Sequence, residues 1–503
     1  MIRVLSVENM RKSDARTIAS GVPGRELMLR AGKGVFALIP RKAPAAVVCG
    51  SGNNAGDGYV IANLLHGAGV ACDIILLSEK FSEDGAYYFG LCRESGVPVK
   101  RWTAGADLAG YAVIVDCILG TGFRGEVRGP AREAVEAINR SGAYVVSVDI
   151  NSGLNGDSGM AELCVRSDLT VSVGGFKTGH FLNMAKDVMK AKANVDIGIE
   201  PADRTFSLIE QADVVPFFRP RPNFSNKGSY GYIALAGGSR RFTGAVRLAE
   251  MANAAMRAGA GVVKLAVPEA IRPLVAPAVL ESTVFPLADD GEELAFDEAK
   301  TAELIRGVRT VAFGMGIGTG DGAAKTLEYL LERFEGTLVV DADGLTLLSR
   351  MDRERIRGAA CTLILTPHLK EFSRLTSLAV GDILRNPAAA AESCAKETGA
   401  VLLLKGPATI VTDGEKTLLS DTGCAGMATA GSGDVLAGIL SALAAWIPDP
   451  LSAAAAAAWI NGRAGELAQS RMGSIAMTAG DTVSCVARVV HSLEKANDTK
   501  ETT

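Results

Sequence analysis

Two glycine-rich segments, each holding one aspartate, carry the first chemical signal in this chain. One is Gly50-Ser51-Gly52-Asn53-Asn54-Ala55-Gly56-Asp57-Gly58, the other Gly431-Ser432-Gly433-Asp434. Each runs into a helical pattern, over residues 59–66 and 435–446. At a helix start the backbone N–H groups are unpaired and partly positive, so they can hold a phosphate or a carboxylate. Glycine lets a ligand approach the backbone closely. Two such segments imply two active sites on one polypeptide.

Other groups gather around each. In parallel α/β sheets, ligands bind beyond the carboxyl ends of the strands. In the first half, four stretches fall there: Asn53 to Asp57; Asp116, before Gly120-Thr121-Gly122-Phe123-Arg124-Gly125; Asp149, before Asn151-Ser152-Gly153; and Gly174-Gly175-Phe176-Lys177-Thr178-Gly179-His180. A single aspartate at such a place reads as a loop or cap residue. Three of them beside glycine loops point to chemistry, and with Asn and Ser oxygens nearby they could ligate a hard cation. The second half brings Gly237-Gly238-Ser239, Gly314-Met315-Gly316-Ile317-Gly318, Asp341-Ala342-Asp343, Thr366-Pro367-His368, Lys405-Gly406-Pro407 and Asp421-Thr422-Gly423 to strand ends. Each glycine loop alone is a weak signal, and His368 alone reads as structural. In this order they form a nucleotide site and a second pocket. Asp434, uncovered by its glycines at a helix start, is placed to act as a general base.

The elements that must position these groups follow from alternation. Strands are expected at 45–49, 72–77, 113–116 and 144–150, with helices at 86–95 and 131–141. Pro216-Phe217-Phe218-Arg219-Pro220-Arg221-Pro222 then breaks any regular element, because proline removes N–H donors and restricts its neighbours. Strands resume at 231–236, 262–267, 310–313, 337–341, 362–366 and 401–404, with a helix over 243–258. The pattern predicts βαβ units and parallel sheets covered by helices. Two α/β domains are expected, 1–215 and 222–495, with the polar residues 495–503 frayed.

Bulk properties exclude several classes. With 503 residues, 48% hydrophobic and 21% charged, the chain is an ordinary folded protein of more than one domain. A net charge of −4 gives no general electrostatic case for nucleic acid or an anionic membrane. Nine cysteines without a C-x-x-C pair or a His/Cys cluster read as reduced, buried thiols of a cytoplasmic protein. The first residues lack the long apolar core of a signal peptide. The alanine run 453–458 reads as a buried helix rather than a membrane span. Apolar helices point to assembly as a homo-oligomer.

Taken together, GSGNNAGDG, VDCILGTGFRGE and VDINSGLNGDSG resemble the YjeF N-terminal family, the NAD(P)H-hydrate epimerases, over roughly residues 1–205. The resemblance implies a Rossmann-like three-layer sandwich and a hydrated nicotinamide dinucleotide, NADHX or NADPHX, as substrate. Asn53, Asn54, Ala55, Gly56, Asp57, Gly120, Thr121, Gly122, Phe123, Arg124, Gly125 and Glu126 would bind it. Asp149 would be the acid/base that opens and recloses the hydrated ring, interconverting the R and S forms. Asn54, Asp116 and Ser152 would hold a potassium ion. The chain departs from the family pattern at Ala55 (usually glycine), Asn151 (usually proline) and Leu29-Arg30 (usually Glu-Asn).

KGSYG, GGS…TGA, GMGIGTG, DADGL, TPHLKEF, LLLKG and GSGD, in that order, resemble the ribokinase-like superfamily over roughly residues 222–490. Within it they resemble the YjeF C-terminal family, the ADP-dependent NAD(P)H-hydrate dehydratases. The implied chemistry is phosphoryl transfer from ADP to the ring hydroxyl of the S hydrate, then loss of phosphate. The products would be AMP, phosphate and the restored dihydronicotinamide. Asp434 would be the base, and Gly431, Ser432 and Gly433 an anion hole. Lys405, Gly406, Pro407, Ala408, Thr409 and Gly433 would contact the adenine nucleotide. Ala245, Gly316, Gly318 and His368 would line the hydrate pocket. Mg²⁺ is expected, with Asp341 and Glu371 as water-mediated partners. Two other readings stay open on the residues: a small-alcohol kinase, and a binding scaffold in place of the first catalytic domain. The fused first half and TPHLKEF argue against the kinase, and the presence of Asp57, Asp116 and Asp149 against the scaffold.

Overall fold

Successive residues of the strand Ala45–Cys49 (β1) enter two different apolar clusters. Ala45, Val47 and Cys49 pack with the helices Gly24–Leu38, Asn53–Gly67 and Glu83–Glu94. Ala46 and Val48 pack with Ala134, Val135 and Ile138 of the helix Gly129–Arg140. This is the two-residue alternation of a strand buried on both faces, which explains the unbroken apolar run. The other strands of its sheet are β2 (Cys72–Leu76), β3 (Val99–Arg101), β4 (Val113–Cys117), β5 (Tyr144–Val148), β6 (Ser167–Val173) and β7 (Met189–Val195), while the short strands Ile2–Leu5 and Phe176–Lys177 pair with each other outside it. The sheet is parallel, in the order β3-β2-β1-β4-β5-β6-β7. This computed structural model describes residues 1–242, 251–291 and 293–501. Arg3–Phe206 forms one unit, and Ser207–Thr503 with Met1 and Ile2 the other.

Strand order reverses between β1 and β4, which pair from Ala45↔Val113 to Cys49↔Cys117. A crevice outside the carboxyl ends of the strands at such a reversal is where open α/β sheets bind ligands. The segments after Cys49 and Cys117 leave from that point. They approach so closely that a Cβ on Gly50 would lie 2.1 Å from the Ile118 carbonyl oxygen. Gly50→Ala is therefore expected to destabilise this unit by about 1–3 kcal/mol, read as a lower urea midpoint. An unchanged midpoint would show that the junction yields freely.

The second unit repeats the plan. Its strands are β8 (Tyr232–Gly237), β9 (Val262–Pro268), β10 (Thr283–Leu287), β11 (Thr310–Met315), β12 (Thr337–Val340), β13 (Thr362–Leu365), β14 (Val401–Leu404), β15 (Thr409–Thr412) and β16 (Thr417–Ser420). Their order is β10-β9-β8-β11-β12-β13-β14-β15-β16, parallel except for the last two pairings. The reversal lies between β8 and β11. Ile233, Leu235, Val339 and Ile364 share a cluster with the helices Ser432–Ala444 and Pro450–Ala476. Ala234, Ala236, Val311 and Leu338, pointing the other way, are equally buried.

Several expectations shift. The first site helix begins at Asn53 rather than at residue 59, and the second at Ser432 rather than at 435. Asn53 to Asp57 are thus helical turns, not a loop. Gly56 and Gly58 belong to an expected ligand-binding loop, but packing within the helix explains them. A Cβ on Gly56 would strike Met28 at 2.4 Å, and one on Gly58 would meet Cys117 at 2.9 Å and Cys49 at 3.0 Å. Residues 495–501, expected to fray, continue the helix Ala479–Glu501, because Leu493 and Ala496 pack into the apolar cluster. The helix expected over 243–258 falls partly outside the described residues; Met251–Arg257 is helical. The alanine run lies buried within Pro450–Ala476. Among the described residues no helix is long and apolar enough to cross a membrane. Eight of the nine cysteines are buried and none forms a disulfide.

Candidate active sites

A cavity of about 560 Å³ opens at the β1/β4 reversal. Asn53, Asn54 and Asp57 reach it from their helix, Gly120, Thr121, Gly122 and Phe123 from the loop after β4, and Asp149 from the turn after β5. Asp149 has a left-handed backbone with φ 65°, a conformation an aspartate holds only when its surroundings enforce it. His180 supplies part of that. Its Nε2 lies 2.8 Å from the Asp149 carbonyl oxygen, while its Nδ1 accepts the Lys177 N–H at 3.0 Å. Burial, then the charge of Lys177, lowers the His180 pKa to about 4, so the imidazole is neutral.

The Asp149 carboxylate is held at both ends. Lys177 Nζ lies 2.5 Å from Oδ1, and the Thr121 N–H and hydroxyl donate to Oδ2 at 3.1 and 2.9 Å. Burial alone would push this carboxyl up. The Lys177 charge and hydrogen bond, with the Thr121 amide, outweigh it and hold Asp149 below the usual carboxylate range. Lys177 is only 1% exposed and also donates to the Val173 carbonyl at 2.9 Å. It is delivered by a short parallel pairing, Val4↔Phe176 and Leu5↔Lys177. Asp57 differs. Among the described residues none donates to its carboxyl or pairs with it. Enclosure pushes it well above the carboxylate range, the Asp149 charge adds to that, and Lys177 opposes it.

Asp116 is fully buried beneath the cavity. It accepts the Ser152 hydroxyl at 2.5 Å, the Ser152 N–H and Ser147 hydroxyl at 2.9 Å, and the Ile118 N–H at 3.3 Å. The Asn54 amide is buried, and among the described residues neither its oxygen nor its nitrogen has a partner. A Cβ on Gly120 would sit 3.3 Å from both the Asn54 Cβ and Asp149 Oδ2, and the Leu119 N–H donates to Ser152 Oγ at 2.8 Å. Asn54, Ser152 and Asp116 therefore converge on the Leu119–Gly120 turn.

Other expected residues lie elsewhere. Ala55 and Gly56 face the interior of the unit, and Arg124, Gly125 and Glu126 lie beyond the cavity wall; Glu126 pairs with Arg128 in solvent. Asn151 is buried and structural, donating to the Val165 and Val188 carbonyls and accepting from Thr170. Leu29 and Arg30 stay off the cavity wall, Arg30 bonding Glu26 and the Ile197 carbonyl. Sequence reasoning placed Lys177 in a glycine-rich stretch but did not join it to Asp149. It also missed Met10 and Asp14, which line the cavity from the helix Val7–Ala19.

In the second unit Asp341 follows β12 and Lys405 follows β14. Lys405 Nζ lies 2.8 Å from Asp341 Oδ1 and 3.9 Å from Glu371 Oε2. A Cβ on Gly433 would sit 3.2 Å from that Nζ, so the glycine-rich helix start abuts the same charged cluster. Gly431 caps it in the left-handed region with φ 91°, and Ser432 Oγ is buried without a partner among the described residues. Burial, then the negative charge of Asp341, raises the Asp434 pKa to about 7, with Lys405 opposing and Glu371 adding. His368 is exposed and caps the helix Leu369–Thr376: its Nδ1 accepts the Lys370 and Glu371 N–H groups, and Glu371 accepts the His368 N–H. Gly316 and Gly318 follow β11 with φ 66° and 86°, and the Gly318 N–H donates to Asp343 at 2.9 Å. Lys405 thus faces carboxylates, while Gly406 and Pro407 are exposed beyond it and Ala408 is buried beside Thr409. Ala245 lies outside the described residues. Among those residues no group of three or more His, Cys, Asp or Glu side chains could hold a metal ion.

Comparison with known proteins covers both units. A family model described as "NAD(P)H-hydrate dehydratase" matches residues 233–488, and one described as "YjeF-related protein N-terminus" matches residues 24–179. The bifunctional NAD(P)H-hydrate repair enzyme of Methanothermobacter thermautotrophicus is 34% identical over 97% of this chain and 95% of its own length. That of Coxiella burnetii is 32% identical over 94% and 96%. Among solved structures, an ADP/ATP-dependent NAD(P)H-hydrate dehydratase from Bacillus subtilis, co-crystallised with ATP and Mg²⁺, is 26% identical. It covers 57% of this chain and 99% of its own, with a TM-score of 0.51.

Proposed function

The chain belongs to the family of bifunctional NAD(P)H-hydrate repair enzymes, and on that premise we propose how its two sites divide the repair. Hydration of reduced nicotinamide gives R and S epimers. The second unit dehydrates the S form, and the first interconverts the two, so that neither is stranded. The observation that carries this reading is a pair of carboxylates, one in each unit, with opposite electrostatics. Asp149 is held ionised by Lys177 in one, and Asp434 titrates at about 7 in the other.

In the first unit Asp149 is the acid/base of ring opening and closure. Oδ2 already takes two donors, whereas Oδ1 takes Lys177 alone, which leaves a lone pair there for a proton. The helix start at Asn53 offers its N–H groups to the substrate phosphates. Potassium fits the donor set in one respect: Asn54 offers a buried, unpartnered oxygen. Asp116 and Ser152 would complete the set by turning lone pairs from each other toward the ion. It would supply positive charge beside the reacting carboxylates.

In the second unit Asp434 takes the proton of the ring hydroxyl as that oxygen attacks the terminal phosphorus of ADP. The N–H groups of Gly431, Ser432 and Gly433 face the moving phosphoryl group. AMP leaves. The ring nitrogen then expels phosphate, and loss of a ring proton restores the dihydronicotinamide. Asp341 and Glu371 are carboxylates of the kind Mg²⁺ takes through water, and Lys405 now occupies the space between them. Mg²⁺ there would neutralise nucleotide charge. We assign ADP as the phosphoryl donor, NADHX and NADPHX as substrates, and action in the cytoplasm as a homo-oligomer; cysteines without disulfides support a reducing compartment.

The test is recovery of reduced-nicotinamide absorbance from mixed R and S NADHX with Mg²⁺ and either ADP or ATP. Full recovery with ADP in K⁺ is expected. In Na⁺, recovery should slow once the S fraction is consumed. Failure to recover even the S fraction with either nucleotide would overturn the repair reading in favour of a small-alcohol kinase.

A further inference from the structure

The two carboxyls of the first cavity are built as opposites. Asp149 has both oxygens engaged by Lys177 and Thr121, so its negative charge is compensated. Asp57 lines the same cavity with no hydrogen-bond donor among the described residues, and of the charges acting on it Lys177 favours ionisation while Asp149 and Asp14 oppose it. Its seat is rigid. Its carbonyl oxygen would be 3.3 Å from a Cβ on Gly32, and Gly58 beside it abuts Cys117 and Cys49. We propose that Asp57 is a second catalytic residue, the acid that protonates the ring nitrogen when the hydrated ring opens. This rests on the epimerase reading above. Paired carboxyls whose surroundings push their proton affinities apart divide acid and base roles between them.

The step balances. Asp149 Oδ1 takes the proton of the C6 hydroxyl. The C6–N1 bond breaks with its electron pair going to N1, and Asp57 gives its proton to N1. The resulting C6 aldehyde turns about the C5–C6 bond and presents its other face. N1 then attacks that carbon while Asp57 takes back the N1 proton, and Asp149 returns the hydroxyl proton to oxygen. Both residues end as they began. Asp57 shares the cavity lining with Asp149 and Lys177, with Arg11 and Asp14 on the helix Val7–Ala19, and with Asp84 on the helix Glu83–Glu94, and the charges of Asp149, Lys177 and Asp14 act on it. Enclosure and the Asp149 charge keep its carboxyl protonated above the ordinary carboxylate range.

The experiment uses the full chain with separated R and S NADHX. Asp57→Asn is expected to lower kcat for conversion of R to S by about 10²–10⁴-fold, with dehydration of pure S unchanged in the same preparation. The unaltered chain should lose epimerisation at alkaline pH as Asp57 ionises, and the residual activity of Asp57→Asn should lack that limb. A variant that keeps kcat within threefold, or loses it but retains the alkaline limb, would overturn the assignment. An unaltered chain that dehydrates S but never converts R would overturn the epimerase reading and Asp57 with it, before any variant is made.

Discussion

Asp434→Asn is expected to lower dehydration of the S hydrate by about 10²–10⁴-fold, while the same preparation still converts R to S. Asn keeps the shape of the side chain but cannot take the hydroxyl proton. The position is strict because the helix Ser432–Ala444 starts on a left-handed glycine and presses against Lys405. The pH dependence carries the same signature. A base works only when ionised, and burial with the charge of Asp341 raises the Asp434 pKa to about 7. In the unaltered chain kcat/KM should therefore fall about tenfold per unit below that pH and level off above it. Stability should move the other way. Folding raises this carboxyl, so ionising it destabilises the folded state at pH values above the unfolded carboxylate range. Asn removes that cost, and the thermal midpoint should stay level or rise, as expected where an active site sacrifices stability for chemistry. A variant within tenfold of the original rate would show that another group takes the proton.

The sequence made the sheets legible because strands buried on both faces leave unbroken apolar runs between helical stretches. The placement of Asp149 and Asp434, each beside glycines at a strand end or helix start, was also legible. Three features were not, for physical reasons. Gly56 and Gly58 read as loop formers, yet they are helical positions selected by contact with Met28, Cys117 and Cys49, side chains distant in sequence. His368 reads as structural by residue type alone, but its use as a cap for the helix Leu369–Thr376 shows only in the fold. Lys177 lies 28 positions beyond Asp149, and no local pattern joins them. The pairing exists because Phe176 and Lys177 add to the strand through Val4 and Leu5, a contact between the start of the unit and its far end.

That long-range pair makes Lys177→Met the second large effect. Asp149 would keep Thr121 but lose its counter-charge in a buried site. Removing one partner of a buried ion pair costs about 3–5 kcal/mol, because the remaining charge is left uncompensated. The urea midpoint of this unit should fall accordingly, and epimerisation should be lost while dehydration of the S form continues. Acid behaviour separates a charge effect from simple repacking. Folding holds Asp149 below its unfolded range, so its stabilisation is present above that range and lost as pH falls through the folded value. Lys177→Met should lack this acid loss, since without the ammonium the carboxyl takes up a proton more readily. Adding Asp149→Asn to Lys177→Met should recover much of the stability and none of the epimerisation, since the amide needs no counter-charge and supplies no base. If the single variant costs less than about 1 kcal/mol, the pair behaves as a solvent-screened contact, and the ionised Asp149 on which the first site depends is held by Thr121 instead.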